Sequence, residues 1–411
     1  MRSFLVGGAV RDEILGLPVK ERDFVVLGAT PEMLIAQGYR PVGKDFPVFL
    51  HPKTREEYAL ARTERKIARG YHGFEFYCSP DITLEEDLKR RDLTVNAIAR
   101  SSDGHLIDPY GGLEDLRAKI LRHVSPAFAE DPVRILRVAR FAARFSPLGF
   151  VVADETMALM SSMVDEGEVD ALVPERVFSE FQKALMEPAP EAFLAVLRGC
   201  GALRVLFPEI AALDGVPEDP QHHPEFDTGV HLQWVLKAAC KLTCDPRIRF
   251  AAWVHDVGKA QIPKAEWLRH EGYEAKGVPP LRALCSRLRV PSTWYRLAEK
   301  VVMHHAEVHN TLQLDAVGLM ELIEQLDGIR QPKGIDEVLI AAMADSRGRP
   351  GCEDRPYPQG DRLRRARDLI LAVRIDSQAA ESLKGPAFGE ALRSARIRAL
   401  QTLFESGKSE I

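Results

Sequence analysis

Membrane-length apolar runs are missing from this chain. Nowhere among its 411 residues do about eighteen apolar positions follow one another, so no helical membrane span is expected. The opening "MRSFLVGG" is too short an apolar run for a secretory signal. Cysteine is scarce and scattered: the six residues at 78, 200, 240, 244, 285 and 352 show no CxxC spacing. That argues against a disulfide framework or a zinc ribbon and fits a reducing cytosol. Cys240 and Cys244 stand one helical turn apart, which a buried helix face explains better than a metal. A surplus of positive charge is absent as well. The net charge of −5 excludes a protein basic all over but leaves room for a local basic groove, because distribution decides nucleic-acid binding. There is no internal repeat. The expectation is a cytoplasmic protein, neither exported nor membrane-bound.

What is present reads as an ordinary globular composition, 45% hydrophobic and 28% charged. The length calls for about two to four packed units. Residues 1–112 alternate short β-like runs ("SFLVG", "DFVVLG", "PVFLH", "EYALAR", "HLIDPY") with short helical stretches, the pattern of an α+β head carrying a site. From Leu113 the apolar spacing turns helical, and residues 113–214 read as an all-α neck and body. The proline- and acid-rich stretch 215–229 reads as a linker or a domain entrance. Histidines then concentrate in a helical unit over 228–350. A second break, "SRGRPGCEDRPYPQGD", precedes a basic amphipathic tail within 351–411.

Within the head, "FLVGGAVRDEILGLPVKERDFVVLG" crowds two glycines, an arginine and a Glu-x-Asp pair between two apolar runs. If "DFVVLG" is a strand, Glu21 and Asp23 share a side as the chain enters it, about 6.6 Å apart along the strand. Such a pair can hold two divalent cations about 4 Å apart, the arrangement used in phosphoryl transfer. Gly7 and Gly8 follow a strand and open a helix, where missing β-carbons let a phosphate approach backbone N–H groups, and Arg11 adds a guanidinium. The ordinary alternative is a tight turn with a surface ion pair at Arg22. In "DLKRRDLTVNAIA", Arg90, Arg91, Asp92 and Asn96 combine phosphate-holding arginines with a carboxylate able to take a ribose hydroxyl. In "EDPVRILRVARFAARF", at 100° per residue, Arg134, Arg137, Arg140 and Arg144 fall inside an arc of about 120°, with Asp131 at its edge. Only Glu130 and Asp131 lie close in sequence to offset four like charges, so an anion is expected on this face. A solvated arginine face lying over the core is the ordinary alternative.

These stretches carry a resemblance. "LVGGAVRDEILG", "ERDFVV", "RRDLTVNAIA", "DPYGGLEDL" and "EDPVRILRVARF" resemble, in order, the motifs of the class II tRNA nucleotidyltransferases of the DNA polymerase beta-like superfamily, most closely their bacterial multifunctional CCA-adding branch. The match runs from Met1 to about Phe207. The resemblance implies a nucleotidyltransferase head followed by all-α neck, body and HD domains. It implies that Glu21 and Asp23 bind catalytic Mg²⁺ and that Gly8 and Arg11 contact the nucleoside triphosphate. It places Arg91, with Asp92, on ribose and phosphates, Asp131 and Arg134 on the base edge of CTP or ATP, and Arg137 and Arg140 on the nucleotide. A coupled arginine–carboxylate pair offers donors and acceptors that suit cytosine or adenine and leave guanine and uracil mismatched. The implied reaction adds and repairs the 3′-terminal CCA of tRNA, by attack of its 3′-hydroxyl on the α-phosphate of CTP or ATP. Glu21 departs from the aspartate common in relatives, a change of reach more than of charge. No third carboxylate is assigned; Glu57 in "REEYALAR" is the option at hand and stays outside the catalytic set.

Downstream, "DTGVHLQWVL" supplies His231, "RFAAWVHDVGKA" His255 and Asp256, and "AAMADSRGR" Asp345. These resemble the HD phosphohydrolase signature, in which imidazoles and carboxylates hold a divalent metal, with Ni²⁺ one transition-metal candidate. A phosphatase, 2′-nucleotidase or 2′,3′-cyclic phosphodiesterase activity is implied. The ordinary alternative is that His255 and Asp256 cap a buried helix. His304, His305 and His309 are extra histidines that add ligands or line the domain, and Tyr273 stands where relatives tend to carry histidine. A homodimer is compatible with the resemblance. A bacterial poly(A) polymerase shares the head, but its Gly-Arg-Arg-Phe run is replaced here by "VGKDFPVFLHP". A signalling uridylyltransferase would need sensing domains for which the length leaves no room. A non-catalytic tRNA binder would not keep the whole carboxylate and arginine set. Full CCA addition versus CC- or A-addition depends on the loop around residues 60–80.

Overall fold

Burial rises along the first strand, β1 (Arg2–Val6), from an exposed arginine to buried Phe4, Leu5 and Val6, so the strand runs into the core. The structure is a computed structural model that describes residues 1–42, 48–66, 74–219, 226–267, 269–375 and 385–406. The chain divides into two compact units, Met1–Leu206 and Phe207–Ile411.

In the first unit β1 is followed by α1 (Gly8–Ile14), β2 (Asp23–Leu27), α2 (Pro31–Ala36), β3 (Arg40–Val42), β4 (Val48–Leu50) and β5 (Glu57–Leu60). Next come β6 (Arg62–Lys66), β7 (Phe74–Cys78), α3 (Leu84–Lys89), β8 (Ala99–Arg100), β9 (Leu106–Ile107) and α4 (Gly112–Ala118). The strands expected from the sequence are present, and β3, β6, β7 and β8 join them. The charged run Arg62–Lys66 has no apolar alternation to announce a strand; it becomes one by pairing antiparallel with Phe74–Cys78. The seven-stranded sheet has the order β3-β4-β5-β2-β1-β8-β9. β2 lies antiparallel to β1 and parallel to β5, with Asp23 opposite Val6 on one side and Glu57 on the other. The end of β1 and the starts of β2 and β5 therefore meet at one edge of the sheet. The core beneath includes Phe4, Val6, Val25, Leu27 and Leu88. α3 opens with a capping box in which the Thr83 hydroxyl accepts from Glu86 N and Glu86 accepts from Thr83 N.

The unit ends in helices α5 (Val133–Phe145), α6 (Asp154–Asp165), α7 (Pro174–Met186), α8 (Pro190–Gly199) and α9 (Ala202–Leu206). α5 packs on α7 and α8, burying Ile135, Leu136, Val138 and Phe145. The expected all-α region also holds a two-residue parallel pair, β10 (Ile120–Leu121) with β11 (Val151–Val152).

Among its described residues the second unit is built of helices: α10 (Pro208–Ala211), α11 (Thr228–Leu242), α12 (Pro246–Val254), α13 (Tyr273–Arg287), α14 (Ser292–His309), α15 (Ala316–Gln325), α16 (Pro332–Arg347), α17 (Pro358–Ala372) and α18 (Pro386–Ser406), with one antiparallel bridge between Pro217 and Asp227. α12 and α14 pack together, as do α11 and α16, and α17 and α18 lie against α15. The expected linker 215–229 is only partly described, since residues 220–225 lie outside the described set. Its flanks are packed rather than loose: Thr228 N donates to Val216 O, Glu218 N donates to Phe226 O, and the Glu218 side chain is buried. The expected loop 60–80 and the "VGKDFPVFLHP" stretch likewise fall partly outside, at 67–73 and 43–47. Among the described residues no helix is long and apolar enough to cross a membrane.

Gly258, just after α12, and Gly277 on α13 let two backbones touch. A β-carbon at Gly258 would collide with Tyr273 O and would lie 2.7 Å from Gly277 N. Gly258→Ala is therefore expected to destabilise the second unit by roughly 1–3 kcal/mol, seen as a lower midpoint in thermal unfolding. Gly334, in α16, has no neighbour within 4 Å of an added β-carbon. Gly334→Ala is expected to leave the midpoint unchanged or raise it slightly.

Candidate functional site

Where the sheet edge meets α5, a cavity of 610 Å³ opens in the first unit. One wall is acidic, with Glu21, Asp23 and Glu57; the other carries Arg91, Arg134, Arg137, Arg140 and Arg176, with Gly8, Arg11, Asp92 and Asp131 also lining it. The residues that the resemblance places on metal and nucleotide thus face one space, while Arg144 of the arginine stripe does not line it. Glu57 faces it too, through the parallel register that sets it beside Asp23. Sequence reading had no means to pair β2 with β5, so it left Glu57 aside.

Burial raises the Asp23 carboxyl above its ordinary pKa; Arg91 opposes this and the charge of Glu21 adds to it. Clustered carboxylates that resist ionisation are what a divalent cation relieves, so the acidic wall fits Mg²⁺. Gly7 makes the turn from strand to helix at φ 68°, and a β-carbon there would lie 2.9 Å from the Arg91 guanidinium. Glycine thus lets Arg91 lie across the turn.

The arginines of α5 are not left to an external anion, which corrects the expectation that Glu130 and Asp131 alone offset them. Arg137 binds Asp92 at 2.6 Å, Arg140 binds Glu180 at 2.7 Å and Arg144 binds Asp12 at 2.7 Å. Arg134, 7% exposed, donates to Ala127 O at 2.8 Å and Arg90 O at 2.7 Å. Phe141 lies among three guanidinium groups, 4.8 Å from Arg140, 5.2 Å from Arg11 and 5.7 Å from Arg137. The carboxylates come from positions distant in sequence that only folding brings to this face.

One expected pairing also differs. Asp131 is held by Arg176 of α7, at 2.8 and 3.3 Å, and not by Arg134. An arginine 45 positions further along the chain could not be assigned to it in advance. Arg11, 3% exposed, spends its guanidinium on Asp12 and on the Asn96 side chain, so it braces the cavity floor as well as lining it. Asp92 accepts from Asn96 at 3.0 Å and from Leu93 N at 2.8 Å in addition to Arg137. Burial raises its carboxyl, but Arg137 and Asn96 outweigh that and hold it well below the usual carboxylate range.

In the second unit, His231, His255 and Asp345 present ligand atoms all within 4.8 Å of one another, and His255, Asp256 and His305 form a second such group. His231 Nε2 lies 3.0 Å from Asp345 Oδ1, and His255 Nε2 lies 3.1 Å from Asp256 Oδ2. His255 Nδ1 meets Ala252 O at 2.8 Å, which leaves Nε2 as the lone-pair nitrogen of the neutral ring. His255 is also the C-cap of α12, so the helix-capping and metal-binding readings describe the same residue. Asp256, 1% exposed, receives no hydrogen bond of normal geometry on either oxygen, although Lys259 Nζ stands 2.9 Å away. A buried carboxylate with open lone pairs beside imidazole nitrogens fits a divalent cation. Burial raises Asp345, but His255 and His309 outweigh it and hold the carboxyl well below its ordinary value.

Of the extra histidines, His305 and His309 enter this cluster, while His304 turns to Glu307 at 3.4 Å and to a separate surface hollow. Sequence reading missed Lys259 and Glu218. Lys259 is buried against Glu218 at 2.7 Å, and Glu218 also accepts from the Thr228 hydroxyl at 2.7 Å. The three-residue spacing of Asp256 and Lys259 was the available signal.

The Asp92–Arg137 pair generates a pH prediction. A depressed carboxylate stabilises the fold above its unfolded pKa and loses that contribution as pH falls towards the folded value. Arg137→Ala is expected to cost roughly 1–3 kcal/mol at neutral pH by leaving a buried acceptor unanswered. The gap from the parent should narrow below about pH 4. Denaturant unfolding at pH 7 and in acid reads both.

Residues 3–122 match the model of the poly A polymerase head domain, and residues 149–213 match that of the probable RNA and SrmB-binding site of polymerase A. The multifunctional CCA protein of Methylococcus capsulatus is 58% identical over 404 residues, covering 98% of this chain and 95% of that one. That of Thioalkalivibrio sulfidiphilus is 57% identical over 403 residues, covering 98% of both. Among solved structures, an apo form of a CCA-adding enzyme has a TM-score of 0.67 at 20% identity, over 97% of this chain and 88% of that one. The Thermotoga maritima CCA-adding enzyme complexed with tRNA has a TM-score of 0.63 at 20% identity, over 98% and 87%. With identity of this order across its whole length, a nucleotidyltransferase head and a helical remainder, the chain belongs to the multifunctional CCA protein family.

Proposed function

We propose that this chain adds and repairs the 3′-terminal CCA of tRNA from CTP and ATP, without a nucleic-acid template. The observation that carries the reading is the division of one cavity into an acidic wall and an arginine wall. Glu21 and Asp23 would hold Mg²⁺, with Glu57 placed to assist. Bound there, Mg²⁺ supplies charge stabilisation to the attacking and leaving oxygens of the transfer. The residues do the rest by positioning. Gly8, Arg11 and Arg91 bind the triphosphate, and Asp92 holds Arg137 towards the nucleotide beside Arg140. Arg134 has five N–H donors, and its two bonds to backbone carbonyls leave others for a base edge, while Asp131 offers lone pairs. Cytosine and adenine suit that combination; guanine and uracil leave buried groups unpaired.

On this reading residues 1–112 are the catalytic head, 113–214 the neck and body that read the base and hold tRNA, 228–350 an HD phosphohydrolase and 351–411 a helical tail. The protein works in the cytoplasm, where tRNA, CTP and ATP are its partners, and a homodimer is compatible. His231, His255, Asp256 and Asp345 would hold a divalent transition metal, Ni²⁺ among them, for a phosphatase, 2′-nucleotidase and 2′,3′-cyclic phosphodiesterase activity. Bound there, the metal supplies an activated water.

Given tRNA ending at its discriminator base, CTP, ATP and Mg²⁺, sequenced products should end in CCA. A long A-only tail would mean a poly(A) polymerase, and a product stopping at CC or accepting only A a partial adder. Asp23→Ala should lower transfer by about a thousandfold or more while tRNA binding persists. In the second unit His255→Ala, or chelation of the transition metal, should abolish 2′,3′-cyclic phosphate hydrolysis and leave CCA addition in Mg²⁺ intact; loss of both together would contradict two separate centres.

A further inference from the structure

The last residue of α14, His309, bridges two groups. Its Nε2 lies 2.7 Å from Asp345 Oδ2, and its Nδ1 lies 2.9 Å from the Tyr357 hydroxyl. An ionised carboxylate has only lone pairs to give, so the proton of the first bond sits on His309 Nε2. The lone pair of the neutral ring is then at Nδ1, and the Tyr357 O–H donates to it. Burial, reinforced by the charge of Asp345, pushes the Tyr357 phenol up, so it keeps its proton. With Oδ2 engaged in this way, Asp345 turns Oδ1 to His231 at 3.0 Å and His255 at 3.7 Å. Arg349 reaches the same oxygen at 3.3 Å.

The neighbouring histidine is wired the opposite way. His305 Nδ1 meets Val301 O at 2.8 Å, and a carbonyl can only accept, so Nε2 carries the lone pair and takes the Tyr273 hydroxyl at 2.7 Å. The tyrosine partners thus hold the two rings in different tautomers. Tyr357 also occupies the remaining nitrogen of His309, which separates that ring from the cation, whereas His305 Nε2 still stands 3.6 Å from Asp256 Oδ1.

Tyr357 does not come from the region expected to form the hydrolytic unit. It is the N-cap residue of α17, within 351–411. The turn that carries it is anchored elsewhere as well, since the Thr311 hydroxyl donates to Gln359 O at 3.2 Å and Arg362 donates to Leu314 O at 2.8 Å.

We propose that Tyr357 is a positioning residue of the second centre: by donating to His309 it keeps that ring in the Nε2–H form, which clamps Asp345 Oδ2 and leaves Oδ1 for the cation. The proposal rests on the reading of His231, His255, Asp256 and Asp345 as a metal centre. It makes the tail part of that centre, so residues 228–350 are not self-sufficient.

The test uses the full chain and Co²⁺, with affinity from chelator competition and geometry from the visible spectrum of the bound ion. Tyr357→Phe should bind Co²⁺ about tenfold more weakly, as loss of a group supporting a ligand does, with an altered spectrum and an unchanged metal-free thermal midpoint. His309→Ala should weaken binding at least as much, and adding Tyr357→Phe to it should have no further effect. Thr311→Val, which loosens the same turn without touching His309, should bind as the parent does. Unchanged affinity and spectrum in Tyr357→Phe would overturn the proposal, as would equal weakening by Thr311→Val, which would reduce Tyr357 to holding the turn. If the parent takes up no Co²⁺, or if His255→Ala leaves uptake unchanged, the metal-centre reading itself falls and the proposal with it.

Discussion

Four guanidinium groups on one face of α5 have to be answered inside a folded unit, and the way they are answered holds the first cavity together. Charge withdrawn from water needs an opposite charge or a full set of acceptors. Asp12 from α1, Asp92 from the segment after α3, Glu180 from α7 and the carbonyls of Ala127 and Arg90 supply these. Each bond ties a different part of the chain to α5. The cavity wall is therefore a set of cross-links, and its arginines are oriented before any ligand arrives. Orientation in advance is what a site relying on positioning and charge requires.

The acidic wall obeys a different constraint, the register of the sheet. Asp23 stands between Val6 and Glu57 because β2 pairs with β1 on one side and β5 on the other. Val6 leads directly into Gly7, whose positive φ turns the chain into α1 under Arg91. Carboxylates, glycine turn and the Arg91 side chain are thus gathered at one sheet edge by backbone hydrogen bonds, which do not depend on the charges they bring together. Burial keeps the Asp23 carboxyl raised in the fold, with Arg91 opposing it and the charge of Glu21 adding to it. Such a site is poised for cations.

In the second unit burial is more complete and the polar groups are more finely divided. His231, His255, Asp256 and Asp345 are all buried, yet only Asp256 has both oxygens without a normal hydrogen bond. Around them, Lys259 with Glu218 and the two histidine–tyrosine pairs satisfy one another. The supporting groups are thereby spent on each other, and the lone pairs that remain converge. Close contact of Gly258 with α13 brings Tyr273 into range, a case of a missing side chain deciding where a polar one lies.

Much of this was legible from sequence because it is local. The alternation in "SFLVG" and "DFVVLG", the glycines after the first strand, the spacing of Glu21 and Asp23 and the arginine stripe of α5 all follow from the periods of strand and helix. His255 and Asp256, adjacent in the chain, needed no fold to be noticed. What sequence could not supply were the partners: Glu57 for Asp23, Asp12 and Glu180 for arginines of α5, Arg176 for Asp131, Tyr357 for His309. Each of these pairs is separated by between 34 and 132 positions. Helix and strand periodicity fixes which side chains share a face but says nothing about which faces meet. Tertiary packing settled that, because buried charges and buried imidazoles accept only those arrangements in which every group finds its complement.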